Sequence, residues 1–232
     1  MFGDKVMIKF TGENCFFLPN YSRNQIINEN KIPKLVSDDF MIEVETYIDW
    51  KKCIKKMDYK NHFELGITTF NGMPFGIVLR KAWPEFGKPD TPVVSATVWI
   101  QGKDKLEPVY CDVLVSEKFK GISKIKMNYV KNKSLELIVN DKSNKIELQS
   151  SIADYSESWL WVGCCSGFPF TPTEHQGFFE GEINSLKIST NDYDFLDCDF
   201  SMTNGRKIFD DTDFGHHLLN RYLNKENSVV VF

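Results

Sequence analysis

Any acid–base chemistry in this chain would start from its clustered carboxylates, and the set nearest to a catalytic pattern is Glu43-Val44-Glu45-Thr46-Tyr47-Ile48-Asp49. Cleaving a glycosidic bond takes two carboxyl groups flanking the scissile bond. In an extended strand Glu43, Glu45 and Asp49 share one face, because side chains an even number of residues apart point the same way. Asp192, Asp194, Asp197 and Asp199 form a second acidic run. Asp38-Asp39, Asn140-Asp141 and Asp210-Asp211-Thr212-Asp213 place oxygen donors of the kind calcium takes in turn-like segments. Acid pairs in turns are more often simply solvated, so no cofactor is expected, calcium being the one ion for which donors exist. His216 and His217 are adjacent and would point apart on a strand, which argues against a shared metal.

The thiols give no metal pattern either. Cys15, Cys53, Cys111, Cys164, Cys165 and Cys198 include no pair separated by two residues and no matching histidine pair. The N-terminal stretch lacks a basic start followed by an apolar run and a small-residue cleavage site, so a signal peptide is not expected and all six cysteines are read as reduced, mostly buried thiols.

Around these residues the dominant pattern is alternation with a period of two. Ile42, Val44, Thr46, Ile48 and Trp50 fall on one side of a strand. Phe63, Leu65, Ile67 and Thr69 repeat the pattern, as do Phe75, Ile77 and Leu79, then Val94, Ala96, Val98 and Ile100. Ile125, Met127 and Tyr129, then Leu135, Leu137 and Val139, do the same. Each run predicts a half-buried strand with one face on a core and one on water. Asn71-Gly72, the loop Trp83 to Pro89, Asn140 to Asn144 and Phe168 to Pro172 punctuate them as turns. Only Asn24 to Asn30 and His216 to Asn224 offer short helical patterns. Many strands without intervening helices predict an all-β sandwich or barrel of antiparallel strands. No low-complexity linker divides the 232 residues, so residues 1–232 read as a single domain.

Bulk properties exclude some roles. A net charge of -4 speaks against nucleic-acid binding. No segment approaches the roughly 20 apolar residues of a membrane helix, so membrane insertion is not expected. With 42% hydrophobic residues and 19 Phe there is ample material for a core.

Several segments resemble laminin-G-like, concanavalin A-like jelly-roll domains. MIKFTGENCFFLP is similar to their first strand and turn, and LVSDDFMIEVETYIDW to the strand that follows. SLELIVND resembles their hairpin, with Ile138 for a Tyr and Asp141 for a Gly, and WLWVG with FFEGEINSLKIS resembles the closing pair. The matches run in order from about residue 6 to residue 189. Thr11 stands where the family usually has Asp before Gly12, which weakens a calcium site, and the Trp-His motif is missing, with Phe119 near the Trp position. Residues 195–232 are similar to a segment that normally precedes such domains, so they are expected to complete the same sheet or to dock on a neighbouring copy.

The resemblance implies an all-β, two-sheet antiparallel β-sandwich, a fold that carries lectins, adhesion modules and hydrolases alike. Enzymes of the fold carry Glu-x-Asp-x-(x)-Glu on one strand, which the segment from Glu43 does not reproduce, and the chain is therefore expected not to be an enzyme. If Leu160 and Val162 face the core, as the family pattern implies, Trp159 and Trp161 project from the opposite face; core-facing Val98 and Ile100 turn Trp99 outward in the same way. Loop residues Trp83, Phe86, Phe168 and Phe170 add to these rings. Exposed indoles stack on sugars and anchor protein interfaces. Trp99, Trp159, Trp161, Trp83 and Phe86 are thus the expected ligand-binding residues of a non-catalytic module for glycan or another surface polymer. The alternative is a structural decoration, fibre or adaptor subunit whose apolar face is buried by partner chains or by further copies of itself. Synthesis in the cytoplasm followed by association with a virion or cell surface suits either reading.

Overall fold

Alternation becomes sheet here because each strand buries one set of side chains and must pair its backbone on both sides. The computed structural model describes residues 8–11, 14–18, 39–52, 63–64, 68–69, 75–81, 91–116, 118–153, 160–163, 165–166, 175–176, 179–201, 207–212 and 218–222. The first strands are β1 (Ile8–Thr11), β2 (Asn14–Leu18), β3 (Phe40–Asp49), β4 (Phe63–Glu64), β5 (Thr68–Thr69) and β6 (Phe75–Lys81). Next come β7 (Pro92–Gln101), β8 (Leu106–Leu114), β9 (Lys120–Val130), β10 (Ser134–Val139), β11 (Lys142–Glu147) and β12 (Leu160–Val162). The last are β13 (Cys165–Ser166), β14 (His175–Gln176), β15 (Glu180–Thr190), β16 (Asp194–Asp199), β17 (Lys207–Ile208) and β18 (Leu218–Tyr222).

The largest sheet has seven strands in the order β1-β15-β3-β9-β10-β11, with β16 also paired to β15. Facing it are a four-stranded sheet, β4-β6-β7-β8, and a five-stranded one, β17-β18-β2-β12-β5, while β13 and β14 form a separate pair. Pairing is antiparallel throughout these sheets. The result is an all-β antiparallel sandwich, one of the two architectures the alternation allows and the one the resemblance implies. Strands on either side of Gly12 part company: β1 joins β15, and β2 joins β12 and β18.

One continuous core fills the sandwich. Ile42, Val44, Ile125, Met127, Leu135 and Leu186 from the large sheet meet Ile77, Val94, Ala96 and Val98 from the four-stranded one. Phe40 lies 4.9 Å from Phe75 across the layers, centroid to centroid. At the other end Phe10 and Phe16 meet edge-on at 5.8 Å, and Phe200 packs on both. Two tight turns shape the β9-β10-β11 meander. Asn132 and Asn140 take the left-handed backbone at φ 55° and 54°, a conformation asparagine tolerates better than most residues.

Along one edge side chains stitch the two layers together. The Asn144 side-chain amide of β11 donates to the Asp112 carbonyl at 3.0 Å, and the Lys142 ammonium donates to the Leu114 carbonyl at 3.2 Å. These bonds occupy the open backbone edge of β8, which would otherwise invite another strand.

Two expectations need correction. Strands β6 and β7 are not half-buried: from Phe75 to Arg80 and from Pro92 to Val98 every residue is buried on both faces. The helical pattern at His216 to Asn224 yields to strand β18 over Leu218–Tyr222, because pairing with β2 and β17 satisfies its backbone while burying Leu218. The segment from 195 onward contributes β16 to the large sheet and β17 and β18 to the five-stranded one, all paired within this chain.

Candidate functional site

The outer face of β6, β7 and β8 gathers polar side chains that the core face lacks, with Trp99 and Tyr110 among them. Inward positions Val94, Ala96 and Val98 are fully buried, so the intervening Val93, Ser95, Thr97 and Trp99 lie on the opposite side of β7. Register then sets their neighbours: Ser95 opposes Asp112 and Val78, Thr97 opposes Tyr110 and Gly76, and Trp99 opposes Pro108. Arg80, next on this face of β6, opposes Val93.

At the centre of this face is a buried ion pair. The Arg80 guanidinium meets the Asp112 carboxylate at 2.5 Å, with the two side chains 5% and 24% exposed. The other Asp112 oxygen accepts a hydrogen bond from the Ser95 hydroxyl. Arg80 also lies 5.5 Å from the centroid of the Tyr110 ring, a cation–π contact that fixes both groups. Burying this arginine is tolerable because its charge is matched on the spot; an unmatched one would cost several kcal/mol. Beside the pair the Thr97 hydroxyl is buried and has no hydrogen-bond partner among the described residues. Toward the end of the sheet the face opens, with Tyr110 41% exposed and Trp99 half-buried. The backbone at Trp99 is held from the side, its carbonyl accepting the Ala153 N–H at 2.9 Å.

The structure distributes the predicted aromatic residues unevenly. Trp99 lies on this face. Trp161 belongs to β12 in the five-stranded sheet, its backbone paired with Phe17 and Thr68, and its neighbours Leu160 and Val162 are core. Trp83, Phe86 and Trp159 lie outside the described residues, as do Phe168, Phe170, His216 and His217. Arg80, Ser95, Asp112 and Tyr110 were not anticipated. For Ser95 the signal was the run Val93 to Val98, in which Ser95 and Thr97 interrupt the apolar residues without breaking the strand, as in a strand covered on both sides.

Several of the other candidate carboxylates form ion pairs with lysines. Glu43, Glu45 and Asp49 share the outer face of the large sheet, as their spacing requires. There they pair with lysines of β9: Glu43 with Lys126 at 3.2 Å, Glu45 with Lys124 at 3.8 Å and Asp49 with Lys120 at 3.6 Å. Lys187 bridges Asp194 and Asp197 at 2.7 and 3.3 Å. Of the possible calcium donors, Asp38 and Asp213 lie outside the described residues, and three of the others accept backbone N–H groups. Asp39 accepts the Lys131 N–H, Asn140 the Lys124 N–H, and Asp210 the N–H groups of Asp197 and Thr212. Among the described residues no group of three or more His, Cys, Asp or Glu side chains could hold a metal ion. Cys111 and Cys198 are free and buried, and burial pushes the Cys111 thiol up to about 11.

No protein-family model matches the chain, and no curated protein does. Solved structures do. Domains LG4-5 of the mouse laminin α1 chain are similar at 13% identity and a TM-score of 0.44, over 79% of this chain and 40% of that one. An alginate lyase from Pseudomonas aeruginosa is similar at 12% identity and a TM-score of 0.39, over 68% of this chain and 67% of that one. The enzymatically active domain of a bacteriophage tailspike protein is similar at 6% identity and a TM-score of 0.37, over 66% of this chain and 22% of that one. This chain thus spans less than half of the laminin and tailspike chains. The laminin-G-like resemblance read from the sequence appears again among these structures, while the fold class rests on the strand register itself. One expectation is corrected: the sequence reading set enzymes aside, yet two of these similar structures are enzymes by name.

Proposed function

We propose that this chain recognises a glycan or another surface polymer on the outer face of β6, β7 and β8. The observation that carries the reading is the partly buried Trp99 and exposed Tyr110 standing beside the buried Arg80–Asp112–Ser95 cluster. Sugar rings present flat C–H faces and radiating hydroxyls. Aromatic rings at the open end supply area at low entropic cost, and the Arg80–Asp112–Ser95 cluster beneath them holds Tyr110 in place. The proposed setting, a phage particle or a cell surface, is where such polymers are met.

A glycan array followed by calorimetry tests this. Binding is expected, and Trp99→Ala or Tyr110→Ala should weaken it at least about tenfold, equivalent to about 1.4 kcal/mol. Light scattering on the same samples addresses the structural-subunit alternative. A chain that binds no polymer but assembles with itself would overturn the recognition reading in favour of that alternative.

A further inference from the structure

Strand β11 carries polar residues where its register calls for apolar ones. Lys142, Asn144 and Ile146 stand opposite Val139, Leu137 and Leu135, three buried residues of β10, so their side chains leave the strand on the core side of the large sheet. Ile146 packs against the core, while Lys142 and Asn144 are exposed at its rim. The Asn144 amide serves two strands at once. Its oxygen accepts the Lys145 N–H of β11 at 2.9 Å, and its nitrogen donates to the Asp112 carbonyl of β8 at 3.0 Å. The Lys142 ammonium takes the Leu114 carbonyl of β8. Pro108, at the same parity of β8 as Asp112 and Leu114, has no N–H to offer. Both β8 and β11 stand at the end of their sheets, where unpaired backbone groups invite another strand and inward-pointing charged residues are a common guard. We propose that Asn144, helped by Lys142, closes this edge of the sandwich to strand addition by a second copy of the chain, at the expense of apolar packing on β11. The inference is independent of the recognition reading: any self-assembly of the chain runs through another surface.

The test uses the full chain and two double variants. Lys142→Val/Asn144→Val removes both caps, whereas Ser143→Val/Lys145→Val adds the same side chains to the opposite face of β11 and keeps them. Sedimentation velocity follows their mass, with circular dichroism checking the fold. As concentration rises, the first variant is expected to reach at least about twice the average mass of the unmodified chain, and the second to match that chain. Residue-resolved hydrogen exchange should place the new protection on the amides of β8 and β11. In the unmodified chain the Lys145 amide should exchange at least about tenfold slower than in a free peptide, at a rate independent of concentration. Should the first variant not fold, the exchange rates of the unmodified chain decide alone. A folded first variant with the mass of the unmodified chain overturns the inference, as does equal association of both variants or new protection that arises elsewhere. So does a Lys145 amide that exchanges at the free-peptide rate, or protection of β8 and β11 that grows with concentration in the unmodified chain.

Discussion

The Tyr129 hydroxyl accepts the backbone N–H of Ile152 at 3.1 Å, deep in the sandwich. Tyr129 belongs to β9 of the large sheet, and Ile152 bridges to Ile100 at the end of β7 in the facing sheet. The next residue, Ala153, donates to the Trp99 carbonyl. One phenol in the core thus anchors the segment that holds the open end of the candidate site.

Tyr129→Phe keeps the ring against Phe40, 5.0 Å away, but leaves the Ile152 N–H without an acceptor in the interior. The expected loss is about 1–3 kcal/mol. Each kcal/mol should lower the melting temperature by roughly 2–4 °C in a chain this long. Polymer affinity should fall along with it, since the Ile152–Ala153 segment positions Trp99. Thermal melts and calorimetry check both effects, and an unchanged melt with unchanged binding would remove the anchoring role.

Gly163 sits at φ 87°, and an added Cβ would fall within the Phe10 ring. Its carbonyl also accepts the Phe179 N–H at 2.8 Å, so the backbone there has little freedom to turn away. Gly163→Ala combines left-handed strain of about 1–2 kcal/mol with an overpacked aromatic cluster costing about 1–3 kcal/mol. Urea denaturation should show a combined loss of about 2–5 kcal/mol. A variant of near-native stability would mean that the Phe10 ring is not fixed where it is described.

Alkaline pH offers a third measurement. Burial pushes Tyr129 above its usual range and moves Cys111 from 9.0 to about 11. Both groups hold their proton more tightly in the folded chain than in the unfolded one. Their contribution is therefore complete below about pH 9 and is lost as the pH climbs toward 11. Urea midpoints measured from neutral to strongly alkaline solution should fall across that window. Iodoacetamide at pH 8 should label Cys111 and Cys198 only after unfolding, as read by mass spectrometry; rapid labelling of either in the native chain would contradict its burial.

Local alternation was enough to orient β3, β9 and β10, because each buries one side and leaves charged residues on the other. It misread β6 and β7, where Val78, Arg80, Val93 and Ser95 are buried although they sit opposite the core positions. Period alone cannot report a second covering, and only the continuous small and apolar run from Pro92 to Val98 hinted at it. Strands β8 and β11 were also missed: β8 carries Pro108 and β11 reads Lys-Ser-Asn-Lys, and both owe their conformation to pairing with the strand just before them, β7 and β10. The site was legible to the extent that parity turned Trp99 outward. Arg80 joins Asp112 only through two strand registers that no local pattern encodes.

The pairing of Ile8 with Ile183, and of Phe16 with Val162, has a consequence for biosynthesis. The meander from β9 to β11 closes through turns of two and three residues and can form as soon as it leaves the ribosome. The opening strands must wait until nearly the whole chain has been translated, several seconds at least at cellular rates. Throughout that interval Phe10 and Phe16, later fully enclosed, remain available to chaperones or to neighbouring nascent chains, so aggregation during expression should originate at this end of the molecule.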